Sequence, residues 1–519
     1  MKEYSLLCWI IAVCLLFQGC VTTRINKELV AVENAMQLSP KSEYLKVHMN
    51  DGTLYVLNSW NINGESRMIE GRGTYYNIRR NPVTQTSMAE SDFLIYFDDI
   101  ALLETNNVKK SSVAAIAAMS VVSIPHTFLS IICLTDPKAC FGSCPTFYVY
   151  DGKEFQLQAE GFSSSIARSL EDTDIDKLYL AKPQSDEFTL RVTNEALETH
   201  AVRQANLLAC RAGEGQEVFA TPENAFYTVD TLYTPDWCFS PEGDITGLIS
   251  YLDKQERFSL ADSTDLAACE ELSVHFSGLP PGRYGLVTGS RQTLLTTFLF
   301  YQSLANMGNN VARYGLRLEN GDDRIRKYAN RMYDLLGGID ISVDCGDGKP
   351  EHIYELREMG PIATDVQLIE LPEFSPGEIS VRLKMTKGLW RLDYIALARL
   401  DKEVEPVRIA PGRVICEGSD DPVSLQNLLS PENYFVTYPR EEYELIYDLP
   451  EDFIEYRYFL ESTGYYYEWR REEWVRDENR KLFRMMFLRP RHYLKKMAPE
   501  FKKREPYMEE IFWNSRYEK

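Results

Sequence analysis

Beyond the first twenty residues the chain carries eight cysteines, at positions 133, 140, 144, 210, 238, 269, 345 and 416. Thiolate metal sites and disulfides both draw on such a set. Structural zinc asks for C-x2-C pairs or clustered histidines. The closest pair here is Cys140-Phe-Gly-Ser-Cys144, and the six histidines are scattered along the chain. No metal or cofactor site is expected. A bridge between Cys140 and Cys144 is the candidate instead. It would fix the entry to the following strands while gaining little loop entropy. A redox role lacks both the C-x-x-C spacing and a βαβ setting. Glu171, Asp172, Asp174 and Asp176 form a second cluster. Counted as a calcium loop from Asp172, it places Lys177 where glycine is needed and Pro183 where glutamate is needed. A solvated acidic edge is expected there. Catalytic signatures such as G-x-S-x-G, H-E-x-x-H and the P-loop are absent.

At 519 residues with a formal charge of -21, the chain is long enough for several domains and too acidic for a phosphate backbone. Nucleic acid is excluded as a partner. Its 31 tyrosines and 24 phenylalanines, many in alternating runs, favour β-structure.

The N-terminus reads MKEYSLLCWIIAVCLLFQGC, one lysine before an apolar run that ends at Gly19-Cys20. This is a secretory signal pattern, spanning residues 1–19. Its end resembles the lipobox of bacterial lipoproteins, with Phe17 where leucine is usual and Gln18 bulkier than the common residue. The resemblance implies cleavage before Cys20, a diacylglyceryl group on Cys20 and a lipid-anchored envelope protein. Val21 after the cysteine implies the outer membrane if the cell has one. An uncleaved signal anchor is the alternative, although the apolar run is short for a span of about 20 residues.

Residues 20–43 are then a polar tether. Residues 44–106 read as five short strands with an Asn50-Asp51-Gly52 turn, a small SH3- or Sm-like barrel. Residues 107–135 hold an uncharged apolar stretch, from Ser111 to Thr135, interrupted by Pro125 and His126. It is long enough to span a bilayer, but a buried connector suits a lipid-anchored chain better. A β-rich domain is expected over 136–290 and a helical hairpin over 291–338, where leucines and aromatics recur at helical spacing. Residues 417–479 are expected to hold a hairpin, with Tyr456–Leu460 turning at Glu461–Gly464 into Tyr465–Trp469. Residues 480–519, with twelve Lys/Arg against five Asp/Glu, form a basic tail or a capping helix.

Over 339–416, Ile379, Val381, Leu383 and Met385 alternate strictly, and Thr386-Lys387-Gly388 turns the chain into Leu389–Leu400. The stretch VRLKMTKGLWRLDYIALARL resembles the late strands of jelly-roll carbohydrate-binding modules of the galactose-binding type. That resemblance nominates Trp390 to stack on a sugar and Arg391 and Asp393 to hold its hydroxyls. The alternative is a Trp390 buried in a sandwich core. The sequence thus leads to a mainly β, multidomain (α+β) protein: a small barrel, sandwich-like modules and a helical insertion. Its expected role is non-catalytic binding or scaffolding of an envelope protein or glycan. An envelope hydrolase acting on glycan or peptide, with a site assembled from scattered residues, is the alternative.

Overall fold

The computed structural model describes residues 22–30, 32–38, 42, 44–49, 53–76, 91–111, 144–196, 198–320, 323–344, 349–357, 360–373, 377–439, 441–468 and 477–508. Cys20, Cys140 and nearly all of the apolar stretch 111–135 fall outside these residues. Among the described residues, no helix is long and apolar enough to cross a membrane. The chain divides into two compact units, Met1–Pro137 with Glu510–Lys519, and Lys138–Glu509. The protein is mainly β, with several antiparallel sheets and a few helices.

The smaller unit is one six-stranded antiparallel sheet, sheet I. Its order is Thr22–Val30, Ile100–Ser111, Leu45–Met49, Leu54–Asn63, Met68–Tyr76, Ser91–Tyr96. Alternation sends Leu45, Val47, Leu57, Ile69, Ile95 and Leu103 into one core. Five of the strands begin within residues 44–106, with Met68–Tyr76 a single strand and Ser91–Tyr96 separate from Ile100–Ser111. The sixth, Thr22–Val30, lies in the stretch read as a tether and pairs along its length with Leu103–Ser111. Polar residues such as Thr22, Arg24, Asn26 and Glu28 hide it from a hydrophobic pattern, because an edge strand needs only a ladder partner.

The larger unit holds four sheets. Sheet II runs Ser419–Asp420, Arg413–Cys416, Glu442–Asp448, Glu187–Thr193, Thr146–Tyr150, Phe155–Glu160. Sheet III runs Val407–Ile409, Glu198–Arg211, Tyr456–Glu468, Asp172–Lys177, with Phe435–Thr437 also on Glu198–Arg211. Phe147, Leu190, Val192 and Leu445 of sheet II meet Val202, Leu207, Tyr458 and Leu460 of sheet III in one core, making a sandwich. Sheet IV runs Glu217–Ala220, Phe226–Tyr233, Trp390–Glu403, Arg283–Gln292, Asp365–Glu370, with Arg257–Phe258 also on Trp390–Glu403. Sheet V runs Gly243–Asp244, Trp237–Ser240, Cys269–Leu279, Gly377–Thr386, Ile339–Asp344, Glu351–Leu356.

Several expectations are corrected here. Strands from 136–290 and 339–416 share sheets IV and V, so these stretches do not fold as separate modules. The Thr386–Gly388 turn closes no hairpin. It carries the chain from sheet V to sheet IV, with Gly388 at φ +73° and no room for a Cβ against Ala261. Tyr456–Glu468 is one continuous strand, not a hairpin. The acidic stretch is the strand Asp172–Lys177, paired with Phe459–Gly464, and Asp176 is buried.

The insertion after sheet IV contains three helices, Leu295–Met307, Val311–Glu319 and Asp323–Leu336. The basic C-terminal segment forms Arg480–Leu488, capped by the Asn479 side chain on Leu482 N–H, and Pro490–Lys502. Their apolar faces meet the insertion: Phe501 lies 5.0 Å from Phe298, and Phe483 lies 4.8 Å from Tyr314. The capping-helix alternative is therefore the observed one.

Candidate functional site on the outer face of sheet V

The residues nominated from sequence are interior. Trp390 is 1% exposed. Arg391 pairs with Glu256 at 3.0 Å, and its guanidinium covers the Phe258 ring at 3.9 Å. Asp393 sits at a β-bulge, between residues that pair with Gly289 and Ser290, and accepts the backbone N–H groups of Asp253 and Lys254 at 3.3 and 3.0 Å. Together they pin residues 253–258 onto sheet IV. None offers a surface to a sugar, because the chain changes sheets just before Trp390 and turns this strand inward. Cys144 is a free, buried thiol, and no disulfide forms among the described residues. Burial, then the nearby Glu160, pushes that thiol well above its usual range, which makes it a poor nucleophile.

A buried acid cluster lies where the sheets of the larger unit meet. Glu160 ends an edge strand of sheet II, Asp176 lies on an edge strand of sheet III, and Asp365 starts an edge strand of sheet IV. Glu160 accepts Ile362 N–H at 2.8 Å, and a Cβ at Gly360 would stand 2.0 Å from its Oε2. Burial raises the Glu160 carboxyl to about 7 and that of Asp365 to about 6. Asp176 is driven well up by burial and by Asp365 and Asp174. Among the described residues no group of acids, histidines or cysteines is arranged to hold a metal. Inward acids of this kind keep sheet edges from pairing with other chains.

A cleft of about 320 Å³ opens beside Lys177, Lys182, Glu217, Ile454 and Arg457. Its central charges are already matched. Glu217 takes Lys177 and Arg457 at 2.9 Å each, and Lys177 also donates to Val218 O.

Sheet V is different. The buried alternation of Leu272, Val274, Phe276, Ile379, Val381 and Leu383 forces the intervening residues onto the opposite face. The register sets them in rows across the strands. One row is Trp237, His275, Ser380, Asp344. The next is Phe239, Ser273, Arg382, Ser342, His352. The third is Glu271, Lys384, Asp340, Glu355. At one end Trp237 stacks on His275, with centroids 5.0 Å apart and planes 11° apart, and Phe239 lies 5.5 Å from Trp237. Phe239 is 49% exposed. The rows cross up to five strands, roughly 19 Å at ~4.8 Å per step. The face thus joins an aromatic end to an array of hydroxyl, guanidinium, carboxylate and imidazole groups.

His275 Nδ1 lies 3.1 Å from Ser380 Oγ, and its Nε2 lies 3.9 Å from Glu378. The order is that of a serine-hydrolase relay, but the setting is not. The strand Gly377–Thr386 is paired on both sides, so its backbone N–H groups are committed to ladders. Acyl transfer needs free donors aimed at the developing oxyanion. The arrangement suits hydrogen bonding to a ligand better than covalent catalysis.

Trp237, Phe239, His275 and Arg382 were not singled out in the sequence. The signal was the strict Ile379–Met385 alternation, whose complement is Ser380, Arg382 and Lys384. Compared with protein-family models and with curated proteins, the chain matches none.

Proposed function

We propose that this is a lipid-anchored, non-catalytic glycan-binding protein of a cell envelope, with the outer face of sheet V as its binding surface. The observation that carries the reading is the half-exposed Phe239 beside Trp237, itself stacked on His275, at the end of rows of hydrogen-bonding side chains. A sugar ring has an apolar face for an aromatic ring and a rim of hydroxyls for Ser273, Ser342, Arg382 and the carboxylates. Rows that cross several strands suit a chain lying along them rather than a small molecule enclosed in a pocket. The lipobox-like ending at Cys20 supplies the anchor, on the outer membrane if the cell has one.

The test is affinity electrophoresis of the full chain through gels carrying neutral soluble polysaccharides. Retention of the wild type is expected on at least one. Phe239→Ala should weaken it about tenfold, since an aromatic contact contributes ~1–1.5 kcal/mol. Retention that ignores both Phe239→Ala and Trp237→Ala would remove the assignment.

A further inference from the structure

The same face also carries a charge pattern that selects among glycans, a selectivity that rests on the glycan-binding role proposed for it. Two cations share the central strand, Arg382 and Lys384. Lys384 has an acid directly opposite on each side, Glu271 and Asp340, but the ion pairs of those acids go to Arg382 and His352. Arg382 has a serine directly opposite on each side, Ser273 and Ser342. Its ion pair is a loose one, 3.9 Å to Glu271, with both side chains half exposed. A contact that long and that wet contributes little. In register Arg382 lies between Ser273 and Ser342, whose hydroxyl donates to Asp340 at 3.3 Å, and its half-exposed planar fork suits a planar anion. The neighbouring strands bring Glu271, Asp340 and Asp344 beside it, on a chain of formal charge -21.

We infer that the face takes a glycan whose carboxylates are spaced apart, one carboxylate docking on Arg382 between Ser273 and Ser342. Of the two cations only Arg382 carries a planar fork, and acids on the flanking strands stand on either side of it. A densely charged polyanion would press its further charges against those acids. The carboxylate would sit one strand beyond Ser273, so the sugar stacked on Phe239 and the sugar carrying the acid lie on the same row. His352 closes that row beside Asp340, 3.4 Å away.

The probes are hyaluronan, with one carboxylate per two sugars, its carboxyl-reduced form, and heparin. Binding is read by affinity electrophoresis at fixed salt. Wild type should bind hyaluronan about tenfold tighter than the reduced polymer, the gain of one charge-assisted contact. Arg382→Ala should bind both equally, at the weaker level. Arg382→Lys should keep part of the preference, having the charge without the fork. Phe239→Ala should weaken both polymers in parallel. Heparin should bind no better than hyaluronan. Equal wild-type affinity for the two hyaluronan forms, with Arg382→Ala unchanged, overturns the inference and leaves the glycan reading standing. Retention on a neutral polysaccharide with none on hyaluronan does the same. Tighter binding of heparin also overturns it. Failure on all of these polymers and on the neutral panel removes the glycan reading itself.

Discussion

Glu160→Gln tests whether the buried acid cluster sets the pH dependence of stability. In the folded chain the Glu160 carboxyl titrates at about 7, against 4.5 when unperturbed, chiefly because burial penalises the anion. A raised carboxyl stabilises the fold fully below 4.5, and that contribution is lost as pH rises through about 7. At 1.36 kcal/mol per pH unit the difference is about 3 kcal/mol. Asp365, raised to about 6, and Asp176, also raised, act in the same sense. Buried His200 opposes them. Its imidazole is lowered to about 3 by burial, so it costs stability as pH falls below 6.5. With three raised carboxyls against one lowered imidazole, the balance predicts a decline in stability from pH 5 toward pH 8. Glutamine at 160 still accepts Ile362 N–H and cannot ionise, so it should remove one group's share of the decline. For the unit Lys138–Glu509 that share is about 4 °C in Tm between pH 5 and pH 8. Thermal unfolding of both proteins by near-UV circular dichroism across this range is the assay. Identical Tm profiles for wild type and variant would show that Glu160 does not set the decline.

Other outcomes rest on single contacts. Arg257→Ala strands Glu270, which the guanidinium holds at 2.7 and 2.8 Å with both side chains nearly fully buried; a loss of about 3–5 kcal/mol is expected in urea unfolding. Gly73→Ala would place a Cβ 1.9 Å from Val56 O, so sheet I should lose at least ~3 kcal/mol, read as faster hydrogen exchange confined to Leu45–Leu103. Cys20→Ala should abolish palmitate labelling and release the protein from membranes, and continued labelling would rule out lipidation there. Carbonate extraction of that variant separates a peripheral chain from one spanning at residues 111–134.

How much of this was legible in the sequence varied by residue. The Ile379–Met385 alternation located a buried strand face, and the helical spacing after residue 291 located helices. Trp390 was left between a sugar contact and a core position, and it is the core position that the fold takes; a Thr-Lys-Gly turn does not say whether the next strand pairs with the last or crosses to another sheet. Tyr456–Glu468 read as a hairpin because Glu461, Ser462, Thr463 and Gly464 resemble a turn. In the fold Glu461 receives Arg408 and Asn206, and Thr463 receives Gln204. Gly464 is required because a Cβ would stand 2.4 Å from Ala201 O. Polar residues satisfied by distant partners cannot be told from a loop locally. The face of sheet V was hidden for a related reason. Its rows join five strands drawn from stretches far apart in sequence, and register, not spacing, brings them together.

Glycan binding by the outer face of sheet V is tested most directly by the affinity of the full chain and of Phe239→Ala for a panel of soluble polysaccharides, with folding checked by near-UV circular dichroism. Retention of the wild type is expected, with about tenfold weaker retention of a folded variant. Equal retention of both proteins would contradict a glycan site on this face.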